Sequence, residues 1–458
     1  MLLKMNFEAA KNWEYLGALN AEPAFSEEQT RFSYLATKPS AELCAIYNSD
    51  NPFAIIAGKI EGSRSFKLLR RKTQINLDTA VEYGESGRPK FNRLKHTQIV
   101  TKDAVELAKV LGLNEYLTRA IALGHDCGHT PGGHKGERVL QANLPESSKG
   151  KGKFTHARQA VVNLELEGIF LSNEVSTGIA NHGEDEFVNK DRKDEWIFTE
   201  VAPPLSEKRP EEPTCPEGLL VQIADNSAST LHDIVDLIQA GILKKENALE
   251  NPRFEENLAL LGVTVEQLFS NPKHTLAKMR VTVLNEVKNS AKDINGEFSI
   301  SFGRLTQPIY VLRKLNYEFL EKDLIRQQDE FIKKSVSVVC DYYRKNTKGL
   351  DRALMSLAGK PRMRHRVALK RWVDKKTLKP MNVAEAEEER SRTRMAKFIS
   401  ERSFEEKMAT RLTMMSDLGM NNLAQKICPD LSEERKKLCS MQRAYSEILP
   451  KKNELFVR

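Results

Sequence analysis

Along most of this chain apolar residues recur at three- and four-residue steps, the spacing of one face of an α-helix, and few β-branched runs bounded by turn residues interrupt that rhythm. Between residues 97 and 111 the apolar face is Ile99, Val100, Ala104, Leu107, Ala108 and Leu111, and Gly112 is placed to end the helix. A second helix is predicted over residues 115–125, ahead of the glycine-rich turn GHTPGG. Further on, two faces separate at about 100° per residue. Leu220, Ile223, Leu231, Ile234 and Ile238 form an apolar side, while Asp225, Ser229, His232, Asp233 and Asp236 form a polar stripe. The pattern predicts an all-α fold, a helical bundle with an additional helical C-terminal region.

Two stretches break the periodicity and read as surface loops: residues 147–153 (SSKGKGK) and residues 183–218, which contain PPLSEKRPEEPTCPEG. The GKGK stretch lacks the spacing of a phosphate-binding loop, and no strand precedes it. Beyond residue 245 the chain is charged and helical without a repeat, and residues 384–394 (AEAEEERSRTR) read as an exposed helix or linker.

Composition narrows the class. The chain has 458 residues, 40% of them hydrophobic, enough for a substantial core. No run of eighteen apolar residues occurs, and the opening MLLKMNFEAAKNWEYLG carries charge too early for a signal peptide, so a cytoplasmic protein without a membrane partner is expected. Cys44, Cys127, Cys215, Cys340, Cys428 and Cys439 are scattered without CxxC spacing, which argues for reduced thiols and against a zinc ribbon or a disulfide framework. The formal net charge of +8 is modest, but residues 360–376 (KPRMRHRVALKRWVDKK) concentrate much of it. A solvated face is the favoured reading there; Trp372 and His365 among the charges are the argument for contact with nucleic acid or polyphosphate.

Candidate chemistry gathers in one region. Seven of the nine histidines, His96, His125, His129, His134, His156, His182 and His232, lie between residues 96 and 232. Their arrangement is RLKH ending at His96, LGHDCGH containing His125 and Asp126, and QIADNSASTLHD containing Asp225. Two imidazoles and two carboxylates form a donor set suited to a divalent transition metal. Adjacent His125 and Asp126 can serve one ion together with the outer two donors if neighbouring helices of a bundle supply those.

The ordered H…HD…D pattern in an all-helical chain resembles the HD superfamily of metal-dependent phosphohydrolases. Within it, LTRAIALGHDCGHTPGGHKGE is similar to the signature of the deoxyguanosine triphosphate triphosphohydrolases, and LLRRKTQI to their upstream Lys-Thr-Gln segment. THARQAVVNLELEG, GIANHG and QIADNSASTLHDIVDLIQAG follow in the family's order, with a fainter echo at MMSDLGM. The resemblance covers roughly residues 64 to 243 and suggests an N-terminal helical segment (1–63), an HD core (64–245) and a helical C-terminal region (246–458).

The resemblance implies that His96, His125, Asp126 and Asp225 bind the metal, and that His134 is catalytic with Glu137 supporting it. It further implies that Arg93 grips phosphate, that His129 and His156 line the triphosphate side, and that Gln74 and Asp233 hold the deoxyribose. The implied reaction converts a deoxynucleoside triphosphate to deoxynucleoside and inorganic triphosphate. Manganese, iron, cobalt or nickel is expected as the ion, with additional magnesium accompanying the triphosphate. A homo-oligomer, often a hexamer, is implied too, with a nucleotide or single-stranded nucleic acid as effector.

Two departures from the family pattern bear on the substrate. Thr130, Pro131 and Gly132 replace Pro-Pro-Phe, and Ser229 stands where a tyrosine is usual, so specificity broader than for dGTP alone is expected. Two alternatives stay open. One is an HD nucleotidase or other phosphohydrolase on a different nucleotide; the other is a non-catalytic nucleotide-sensing or nucleic-acid-binding protein, for which the pairing of His134 with Glu137 would serve no purpose.

Overall fold

The computed structural model describes residues 32–33, 35–74, 92–144, 154–182, 196–199, 215–294, 297–320, 323–358, 380–436 and 438. The loop at 147–153, residues 183–195 and 200–214 of the second loop, and the basic segment 360–376 lie outside them. Helices dominate, as the periodicity predicts, and the fold is all-α. The chain divides into two compact units, each discontinuous in sequence: Met1–Lys38, Ile99–Arg119 and His182–Lys322 in the first, Pro39–Gln98, Ala120–Asn181 and Asp323–Arg458 in the second.

In the first unit the central element is the helix Pro216–Gln239, with Pro216 in its first turn where a missing N–H costs nothing. It packs on the helices Pro272–Ser290 and Thr306–Leu320. Glu217 in its first turn is buried and accepts hydrogen bonds from the Thr37 amide (3.0 Å), the Thr37 hydroxyl (2.7 Å) and the Asn114 amide (2.9 Å). Arg313 donates to the Asn226 side chain at 2.7 Å and Asn316 to the Thr230 carbonyl at 2.9 Å. In the first half of the predicted polar stripe Asp225 and Ser229 are buried, and so are their neighbours Asn226, Ser227 and Thr230. Edge-to-face ring pairs, Phe32 on Phe298 and Phe254 on Phe319, join the packing around this helix.

A small antiparallel sheet also belongs to this unit. The strand Glu297–Ile300 lies between Trp196–Thr199 and Lys292–Ile294, with Trp196 opposite Ile300 and Lys292 opposite Ser299. Strands of three and four residues are too short for a period of two to show in the sequence.

The second unit packs the helix Gly133–Asn143 on Asp323–Lys345, and the latter on Asp417–Ile427. Leu140, Val336, Val339, Leu354, Met408 and Leu412 are central to its core. Helix Phe404–Thr413 begins at a capping box, Ser403 with Glu406, and lies against His156–Leu166. Residues 384–394 fall within the helix Pro380–Glu401. The described cysteines Cys44, Cys127, Cys215, Cys340 and Cys428 are free thiols. Among the described residues no helix is long and apolar enough to cross a membrane.

Candidate functional site

A single bridge, Thr73 against Asn92, brings the end of the KTQ segment beside the start of the helix Arg93–Leu111, and the Arg93 amide donates to the Lys72 carbonyl at 3.0 Å. That helix begins at Arg93, four residues before the predicted start, so Arg93 and His96 both project from its first turn. The helix Glu115–Gly124 ends one residue before His125, which opens the tight turn His125–Gly128. Gly128 has no room for a side chain, because a Cβ there would meet the His156 carbonyl and the Ala160 amide nitrogen of the helix His156–Leu166. This contact of backbone on backbone sets His156 next to the His125–Asp126 turn.

His96, His125 and Asp126 each bring a ligand atom within 4.8 Å of the others, and all three are buried. His125 Nδ1 lies 2.7 Å from the Ala122 carbonyl, which can only accept, so the proton sits on Nδ1 and Nε2 presents its lone pair. Asp126 is bonded by Arg93 Nη1 (3.2 Å to each oxygen) and by His129 Nε2 (3.0 Å). Burial would raise the Asp126 pKa, yet Arg93, His125 and His129 together hold it well below the usual carboxylate range. Two imidazoles and an ionised carboxylate make this a fit for a divalent transition ion. Arg93 is 1% exposed, and its Nε and Nη2 have no hydrogen-bond partner among the described residues.

Beside this trio stand His129, His134, Glu137 and His156, again with ligand atoms within 4.8 Å of one another. His129 and His156 stack with ring centroids 3.7 Å apart and planes at 15°. Glu137 accepts from the His156 amide (2.9 Å) and His156 Nδ1 (2.9 Å), and lies 3.4 Å from His134 Nδ1. The carboxylate thus holds His156 more closely than His134, the partner expected one helical turn away. Burial pushes the Glu137 pKa up, but His156 and His134 outweigh it and keep the group ionised. For His129, burial first and then Arg93 and His156 drive its pKa well below the ordinary value, so the ring is neutral. Among these side chains His134 is the accessible one: 33% exposed against 1% for His129 and 8% for His156.

The remaining candidates divide between the units. Gln74 lies in the second, its Oε1 buried and without a hydrogen-bond partner among the described residues. Asp225, Ser229 and Asp233 lie in the first, on one helix. The Ser229 hydroxyl donates to Asp225 Oδ1 at 3.4 Å, and Asp233 is half-buried two turns beyond Asp225.

Sequence reasoning passed over Lys72 and Asp417. Lys72 is fully buried, and burial, opposed mainly by Asp417, brings its pKa down to about 7. Asp417 is buried at the start of its helix and accepts from two backbone amides. Both act on main-chain groups of segments far away in sequence, and the only signals for them were the KTQ and MMSDLGM resemblances.

The HD domain family matches residues 93–230, a span that includes Arg93, both clusters and Asp225. A deoxyguanosinetriphosphate triphosphohydrolase-like protein of Clostridium perfringens (strain SM101 / Type A) is 33% identical over 353 residues, 74% of this chain and 84% of the relative. Proteins of the same description from Leptospira interrogans serovar copenhageni and Deinococcus radiodurans are 29% and 30% identical, over 64% and 56% of this chain and 79% and 62% of their own lengths. Identity of that extent, together with an HD match that carries its histidines and aspartates in order, places the chain among the deoxyguanosinetriphosphate triphosphohydrolase-like proteins, a family of HD-type phosphohydrolases.

Proposed function

We propose that this protein hydrolyses deoxynucleoside triphosphates to deoxynucleoside and inorganic triphosphate. The observation that carries the reading is the juxtaposition of a buried His96–His125–Asp126 donor set with a second cluster in which one carboxylate, Glu137, serves two imidazoles. His96, His125 and Asp126, with Asp225 as fourth ligand from its place in the ordered pattern, would hold manganese, iron, cobalt or nickel. Such an ion supplies positive charge that polarises a phosphate oxygen and makes water more acidic.

The chain's own groups account for the rest. Arg93 is anchored to Asp126 through Nη1 and keeps Nε and Nη2 for phosphate oxygens, a fork that suits a polyphosphate. His156 is oriented by Glu137, so its Nε2 serves the triphosphate side. The neutral His129 ring donates a hydrogen bond from Nε2 to Asp126 and lines the triphosphate side beside His156. His134, accessible and facing the ionised Glu137, protonates the departing 5′ oxygen. Gln74 and Asp233 hold the sugar. Ser229, bonded to Asp225 where the family carries a ring, favours a range of deoxynucleotides wider than dGTP.

Purified protein supplied with manganese and challenged separately with each deoxynucleoside and ribonucleoside triphosphate should release inorganic triphosphate from several deoxynucleotides. Asp126→Ala should lose both the metal and the activity while keeping its helical content. Orthophosphate or pyrophosphate as the product would identify an HD nucleotidase instead, and full metal content in Asp126→Ala would remove the ligand assignment.

A further inference from the structure

The turn from His125 to Gly133 is held by polar groups that the proposed reaction does not use. Asp417 is 3% exposed at the first turn of the helix Asp417–Ile427. Its Oδ2 accepts from the Thr73 amide at 2.8 Å, and its Oδ1 accepts from the Gly132 amide at 3.0 Å. Lys72 Nζ donates to the His129 carbonyl and to the Thr413 carbonyl, each at 2.5 Å. Asn163 Nδ2 donates to the Cys127 carbonyl at 3.1 Å and to the Thr413 hydroxyl at 3.2 Å. Main-chain groups of Cys127, His129 and Gly132 are thus each fastened, and Thr413 and Asp417 enter from the C-terminal part of the chain.

The placement matters more than the number of bonds. Thr73 immediately precedes Gln74, and Gly132 lies two residues before His134. Gly132 and Gly133 both take positive φ, 74° and 57°, where glycine is favoured, and from within the turn the Thr130 hydroxyl donates to the Gly133 carbonyl at 3.0 Å. A Cβ at Gly133 would come within 3.0 Å of Arg93 Nη2, so the turn is kept bare beside the arginine. The Thr130 bond is local to the turn; what ties it to the Thr73 segment is an external clamp, and a buried carboxylate accepting from two amides is a strong one.

We propose that Asp417 is a positioning residue for the substrate: one carboxylate ties the Thr73 and Gly132 amides together and so fixes Gln74 relative to His134, with Lys72 completing the latch. The inference rests on the roles proposed above for Gln74 and His134. Asp417→Asn keeps the shape but offers one acceptor oxygen, and its amide N–H groups would face a backbone N–H. One of the two segments is then released.

The test compares wild type, Asp417→Asn and a control on the same helix, Met420→Ala, which removes core volume but none of the hydrogen bonds to either segment named above. Hydrogen exchange should accelerate in Asp417→Asn at the peptides spanning residues 72–74 and 130–134, with metal content unchanged. Its kcat/KM for a deoxynucleoside triphosphate should fall about 10²-fold, shared between a raised KM and a lowered kcat, the scale of a misplaced contact. Met420→Ala should melt earlier yet keep the wild-type KM. Should Asp417→Asn not fold, Asp417→Glu, with charge and both acceptors on a longer arm, is read the same way. Unchanged exchange, or faster exchange with unchanged kcat and KM, or a KM shift of equal size in Met420→Ala, would overturn the proposal. Wild type that turns over no nucleotide overturns the functional reading instead, and the latch is then judged on exchange alone, which must still accelerate.

Discussion

His134 and His156 share one carboxylate, and the difference between them is access. His156 is buried and held at 2.9 Å by Glu137, whereas His134 is a third exposed and lies at 3.4 Å. A proton donor must reach the leaving group, so His134→Ala should lower turnover about 10²- to 10⁴-fold while metal content stays at the wild-type level. Steady-state kinetics beside metal analysis checks this, and near-normal turnover would return His134 to a structural role. Lys72 gives a prediction of a different kind. In the folded protein it titrates near 7 against an ordinary value of 10.5, so between those values the unfolded chain binds the more protons. This lysine's unfavourable contribution to stability is thus complete below pH 7 and relieved as pH rises toward 10.5. The melting temperature of wild type relative to Lys72→Met should therefore climb across that window and be flat below it; a difference independent of pH would contradict the burial of an ammonium at this position.

At the scale of elements, the glycine in the HDCGH turn decides how two of them meet. Gly128→Ala would drive a Cβ into the His156 carbonyl and the Ala160 amide nitrogen, both backbone atoms that no rotamer change can move aside. Overpacking of this sort costs about 1–3 kcal/mol or more, and the helix His156–Leu166 would have to shift. A lower melting temperature together with loss of activity is expected, and a stable, active Gly128→Ala would show that the helix lies farther off. Much of this level could be read in the sequence. The apolar face over 97–111, its stop at Gly112 (φ 74°), and the helix ahead of His125 follow from local periodicity and backbone chemistry. The adjacency of His125 and Asp126 and the order of His96 and Asp225 around them made candidates of those residues. The stripe from Asp225 to Ser229 reads as facing a site rather than solvent, and both residues are buried; what covers them was not legible, since an amphipathic pattern is silent on that. Nor were the short strands, or the clamps made by Lys72, Glu217 and Asp417, whose partners, the Thr37 hydroxyl apart, are backbone groups that leave no trace in residue type.

Over the whole molecule, the family is settled by the extent of identity with its relatives, and the proposal concerns the bond that is broken. The HD match at residues 93–230 draws on both compact units, with Arg93, His96, His125 and Asp126 in one and Asp225 in the other. A nucleotidase could use the same donor set. What separates it from a triphosphohydrolase is whether water enters at the α-phosphorus with the 5′ oxygen departing, the step for which Arg93, His134 and Glu137 are assigned. The most direct test is hydrolysis of a deoxynucleoside triphosphate by the manganese-supplied wild type in ¹⁸O-enriched water, with the products resolved by mass spectrometry. The account predicts inorganic triphosphate carrying one solvent oxygen and an unlabelled deoxynucleoside in equal amount; label in orthophosphate or pyrophosphate, with a deoxynucleoside diphosphate or monophosphate left behind, would contradict it.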